Sequence, residues 1–93
     1  MSVDIGPTET AILSRIIRPD HSGWSKDAAE SILRFDFAPD DVQRMNVLAA
    51  KVQQSSLTGD EEVELENYRR VGRLLELLQS KARISLKRLA STA

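Results

Sequence analysis

The strongest constraint on this chain is the run from Leu57 to Leu89, LTGDEEVELENYRRVGRLLELLQSKARISLKRL, whose spacing predicts one long helix. Thr58 is placed to accept from a first-turn amide, and Glu61, three residues on, to reach back to the amide of Thr58. That reciprocal pair is a capping box. Asp60, Glu61, Glu62 and Glu64 put negative charge at the positive end of the helix dipole, and Lys81, Arg83, Lys87 and Arg88 put positive charge at the other. Between these ends Tyr68, Val71, Leu75, Leu78, Ala82 and Leu89 follow alternating three- and four-residue steps, the spacing of a coiled-coil seam, with Ser85 as the one interruption. A helix of about 30 residues runs roughly 45 Å at 1.5 Å per residue, long for a small chain.

A second apolar set, Leu74, Leu77 and Ile84 with Lys81 among them, lies off that seam, while Leu65 and Leu86 widen it. A helix apolar over more than one narrow face is buried on more than one side. Gly72 sits mid-helix, where it costs about 1 kcal/mol relative to Ala, so a close approach to the backbone is expected there. Little other apolar material is available to cover the second face. A second copy of the chain or a different partner is therefore expected on part of it, with cover by the chain's own helices as the alternative.

Ninety-three residues correspond to one domain, 1–93, with 1–7 expected as a loose tail. With no cysteine, disulfides and thiolate metal sites are excluded. A net charge of −1 with 29% charged residues is neither the footprint of a strongly basic nucleic-acid binder nor that of an acidic disordered chain. No stretch approaches the roughly 18 apolar residues of a membrane span, and no basic-then-apolar leader opens the sequence. A cytoplasmic location without membrane contact is expected. Aromatics make up only 4%, so Leu, Ile, Val and Ala must form most of the core.

Upstream, three shorter helices are expected. Thr8 caps the first, which carries Ile12, Leu13, Ile16 and Ile17 on one face and stops before Pro19. Pro19 to Gly23 forms a turn. Ser25 caps the second helix, with Ala28, Ala29, Ile32 and Leu33 inward and Trp24 placed to pack on Ala29 as a staple. Phe35-Asp36-Phe37 alternates like a strand, but it has no strand to pair with. It is expected as an extended linker whose rings fill the core. Pro39 suits the first turn of the third helix, with Asp40 and Asp41 at its positive end, Phe37 and Val42 spaced as a second staple, and Val42, Met45, Leu48, Ala49 and Val52 as its stripe. The short linker Gln53 to Leu57 then predicts that the third and fourth helices fold back as an antiparallel hairpin, with the two short helices packed across it. The fold class is all-α.

Residues for chemistry are sparse. The sole histidine, His21, lies in the turn beside Ser22 and near Ser25, but sequence neighbours seldom form a nucleophile–base pair, and a solvated turn histidine is the ordinary reading. Asp20 and His21 with a distant carboxylate match no metal-ligand spacing; Asp36, Asp40 and Asp41 are in principle able to hold a divalent ion, but the plainer expectation is that they serve as helix-start charges, so no metal is expected. No glycine-rich phosphate loop is present. Neither an enzyme nor a cofactor is expected. The segment from Ser80 to Arg88 concentrates positive charge and is able to meet phosphates, although cations at a helix C-terminus also simply complement the dipole. It has no interleaved aromatics and no helix-turn-helix pattern. The acidic start, Asp60 to Glu66, is able to oppose a basic protein surface, and a solvated charged face is the plainer explanation.

Leu57-Thr58, Glu61, Glu64-Leu65-Glu66, Tyr68, Val71, Leu74-Leu75, Leu78, and above all Gln79-Ser80-Lys81-Ala82-Arg83 with Ser85-Leu86-Lys87, resemble a group of small bacterial helical proteins sometimes encoded beside HNH-type nucleases. The resemblance is weak from Ile12 and stronger from Leu57 onward. It implies an accessory, inhibitory or antitoxin-like partner of a nuclease, and it supplies no catalytic residues.

The expected function is therefore a protein–protein interaction module, self-associating as a homodimer or binding a nuclease. Leu74, Leu77 and Ile84 would be its apolar anchors, and Lys81, Arg83 and Lys87 its polar rim. The alternative is a small nucleic-acid-binding regulator using Lys81, Arg83, Lys87 and Arg88.

Overall fold

Three of the four helices start where a side chain satisfies a first-turn amide, and the other starts on a proline. In the computed structural model, which describes residues 8–18 and 23–91, the helices are α1 (Glu9–Ile17), α2 (Lys26–Leu33), α3 (Pro39–Gln53) and α4 (Gly59–Ser91). There is no strand among the described residues. The Thr8 hydroxyl accepts from Ala11 N at 3.1 Å, and that of Ser25 from Ala28 N at 3.3 Å. The capping box at α4 forms in both directions, with Glu61 N donating to Thr58 Oγ1 at 3.2 Å and Thr58 N to Glu61 Oε1 at 3.0 Å. α3 opens on Pro39, whose missing N–H costs nothing at the first helical position. The expected tail 1–7 and the turn holding His21 lie outside the described residues.

Two helix ends carry no glycine signal. Arg18 ends α1 with φ 50°, its N–H donating to Ser14 O. Ser55 ends α3 with φ 53°, Ser56 N donating to Lys51 O at 2.9 Å and Ser55 N to Val52 O at 3.1 Å. The second arrangement is a Schellman motif with serine where glycine is usual.

The chain, expected as one domain, divides into two compact units that share α4. One comprises the described residues up to Phe35 and those from Arg73 onward; the other runs from Asp36 to Gly72.

In the 36–72 unit, α3 meets the first part of α4 around Leu48, which has no exposed surface. Arg44 forks onto Glu64, at 2.6 and 2.9 Å, and reaches Glu61 at 3.5 Å. Lys51 donates to Glu61. Tyr68 donates to Asp41 Oδ1 at 2.7 Å, and its ring meets that of Phe37 edge-on, centroids 6.2 Å apart. Phe37 is half-buried against Tyr68, whereas Phe35, expected to fill the core as well, remains 54% exposed. Gly72 departs from expectation too. A Cβ there would lie 4.0 Å from the Phe37 ring, ordinary contact, so no close approach in this unit requires glycine.

In the other unit, α1 and α2 lie on the later part of α4, with Ile17, Ala29 and Ala82 as buried apolar residues. Gln79 holds the end of α2, donating to the carbonyls of Ile32 and Phe35 at 3.3 and 2.8 Å. Ser85, the break in the apolar seam, is 1% exposed. Its hydroxyl donates to Lys81 O and accepts from Trp24 N, both at 2.8 Å. The polar residue stands in the seam because it satisfies the amide that leads into α2.

Candidate functional site

The later half of α4 has an inner and an outer side. Lys81, Ala82 and Ser85 point inward and are buried. Leu74, Leu77 and Ile84 are half-buried, and Arg83, Lys87 and Arg88 are exposed. Leu77 and Ile84, seven residues apart, keep the same side of the helix, and Arg83 and Lys87, four apart, run beside them. By spacing, four of the six expected contact residues share one side of α4, two half-buried aliphatic side chains and two exposed cations. Arg83 Nη2 donates to Glu76 Oε1 at 2.9 Å, an exposed pair of the kind worth about 0–1 kcal/mol.

Lys81 is not the rim cation expected. It is 6% exposed, its Nζ donates to Ile17 O, and it stands 5.1 Å from the centroid of the Trp24 ring. The carbonyl at the end of α1 and the negative face of the indole receive the ammonium, so the charge holds the unit together rather than meeting a partner. Trp24, expected as a staple on Ala29, thus meets α4 at both Lys81 and Ser85.

Leu74 lines a shallow apolar groove with Glu9, Ile12, Leu13 and Ile16. The apolar face expected for α1 is covered only in part. Ile17 is buried, but Ile12 and Ile16 are 45% and 72% exposed. Four aliphatic residues in six positions span more of a helix than one neighbour covers, and that width was the available signal.

The polar cluster of the other unit is internally matched. The Glu61 carboxyl is held down at about 2, from an ordinary 4.5, first by the hydrogen bond from Lys51 and then by the Thr58 amide. The Glu64 carboxyl is lowered chiefly by Arg44, and the Asp41 carboxylate raises the Tyr68 hydroxyl. Because the Glu61 value falls on folding, its stabilising effect is complete above about 4.5 and is lost as pH drops from there toward about 2. Urea midpoints are expected to fall across that window and to flatten in Glu61→Gln. An unchanged slope in that variant would remove Glu61 as the cause.

Among the described residues, no group of three or more His, Cys, Asp or Glu is placed to hold a metal ion, and no helix is long and apolar enough to cross a membrane. Asp36 accepts from Phe37 N and Asp41 from Tyr68, so both carboxylates have local partners. Compared with protein-family models, curated proteins and solved structures, the chain finds no match in any of the three.

Proposed function

We propose that the chain is a non-enzymatic protein–protein interaction module whose docking face is the outer side of α4 around Leu77 and Ile84. The carrying observation is that these two aliphatic side chains remain half-exposed beside Arg83 and Lys87, although α1 and α2 lie on the same stretch of helix. A partly covered apolar pair with a cationic border has the make-up of a small interface core and rim. The resemblance to helical proteins encoded beside HNH-type nucleases supports a nuclease as partner, with the chain acting by occlusion or stabilisation, as an accessory or antitoxin-like protein in the bacterial cytoplasm. We also infer that α3 and α4 form an antiparallel hairpin. The pairs Lys51–Glu61, Arg44–Glu64 and Asp41–Tyr68 support it, since one number falls as the other rises.

A Leu77→Asp variant is expected to lose its protein partner, whether a second copy or a host protein identified by affinity capture and then tested in purified form. Its helical circular dichroism should stay near the wild-type value. Unfolding of the variant would instead make Leu77 intramolecular core and end the proposal.

A second reading, a nucleic-acid-binding regulator, is favoured by one observation. Among the described residues, the unit containing α1 and α2 carries nine Lys and Arg against four Asp and Glu. It requires binding that weakens steeply with salt.

A further inference from the structure

The near-neutral total conceals a division of charge. Against that basic unit, the 36–72 unit carries four Lys and Arg and eight Asp and Glu. Part of this acid is answered within the unit, since Glu61 and Glu64 hold Lys51 and Arg44, and Glu66 lies 4.0 and 3.9 Å from Arg69 and Arg70. Asp60 and Glu62 are exposed on the first turn of α4, and Val63 beside them is 62% exposed. The first turn of α4 thus presents an aliphatic side chain flanked by carboxylates. Leu77 and Ile84 present aliphatic side chains flanked by Lys87 and by Arg83, the latter already paired with Glu76 in an exposed contact that a second acid can share or replace. The two surfaces are complementary in sign and similar in make-up, and every copy of the chain carries both.

We propose that the face of Leu77, Arg83, Ile84 and Lys87 receives the segment Asp60 to Val63 of a second copy, the exchange being reciprocal in a dimer. This rests on the assignment of that face as the docking surface and names its occupant. Val63 supplies the desolvated contact against Leu77 and Ile84, while Asp60 and Glu62 meet Arg83 and Lys87 at the border. The charges set partner choice and encounter rate more than affinity, because exposed pairs contribute little each. Nucleic acid is the weaker fit to the same face. The whole chain is net −1, not the strongly basic balance of a phosphate-binding protein. The ring of Trp24 lies beside Lys81 and the Tyr68 hydroxyl is bonded to Asp41, so neither aromatic belongs to this face for base stacking.

The test is the mass of the full chain by light scattering and sedimentation at 50 and 500 mM salt, with helicity followed by circular dichroism. A dimer is expected, its dissociation constant rising about tenfold or more across that range as screening tightens. Arg83→Glu with Lys87→Glu should give monomer, as should Asp60→Lys with Glu62→Lys, and an equal mixture of the two should recover the dimer. If a charge-reversed chain loses helicity, the neutral pairs Arg83→Gln with Lys87→Gln and Asp60→Asn with Glu62→Gln carry the test, each weakening association. A monomer under both conditions overturns the proposal, as does a dimer indifferent to salt and to these changes, or a mixture that stays monomeric. Salt-dependent binding of a duplex oligonucleotide by a monomeric chain assigns the face to phosphate and also overturns it. A monomer that still binds a host protein through Leu77 refutes only the second copy as occupant; loss of both removes the docking face itself.

Discussion

Replacing Leu48 by Ala should destabilise the protein by about 2–5 kcal/mol, the range for emptying a well-packed leucine site. Leu48 has no exposed surface and is the sole buried aliphatic residue of the 36–72 unit, so few other side chains can share the loss. The flanking members of its stripe, Val42 and Val52, are already 40% and 42% exposed, and movement toward the void would have to drag them from the surface. At roughly 4–8 °C per kcal/mol for a chain of this length, the melting midpoint should drop on the order of 10–30 °C. Thermal melts and urea titrations followed by circular dichroism measure this directly. A loss below about 1 kcal/mol would mean that the site collapses freely and that the polar pairs around it, not the leucine, hold α3 to α4.

The second large effect runs against the sequence pattern. Ser85→Leu would complete the seam of Leu75, Leu78, Ala82 and Leu89, and by periodicity alone it should stabilise. The structure leads to the opposite expectation. A methyl group added to Gly23 would already lie 3.1 Å from Ser85 Oγ, so the site has no room for an isobutyl group. The change also deprives Trp24 N of its acceptor. Overpacking costs about 1–3 kcal/mol and an unsatisfied buried amide about 1–3 more, giving a loss of roughly 2–6 kcal/mol. Ser85→Ala isolates the hydrogen bond and should cost about 1–3 kcal/mol, with no clash. A Ser85→Leu protein as stable as wild type would sink the view that this residue anchors the loop before α2. Changed near-ultraviolet dichroism of Trp24, the single tryptophan, offers a local readout.

Helix boundaries were legible because their causes are local. Thr8, Ser25 and the Thr58–Glu61 pair each act within three residues, and Pro39 acts through its own ring. The starts of all four helices follow from those residues. The end of α1 was read from Pro19 and that of α3 from the polar run after Val52, although neither Arg18 nor Ser55 is the glycine that normally marks a left-handed cap. Leu77, Arg83, Ile84 and Lys87 fall together by helical spacing alone, so the proposed docking face could be named from the sequence. The sequence mistook Lys81, which shares that spacing but turns inward, and it grouped Ile12 and Ile16 on one face with Ile17 without revealing that they stay exposed.

The linear order of residues thus determined the all-helical class, the four starts and the polarity of charge along α4, all set by neighbours a few positions apart. Which side of each helix is covered was decided only in three dimensions. Lys81 finds Ile17 across 64 positions, and Ser85 finds Trp24 across 61. No spacing rule spans such distances. A lysine becomes interior, and a serine becomes a fixed part of an apolar seam, only when chain folding brings a carbonyl, an indole and an amide to meet them.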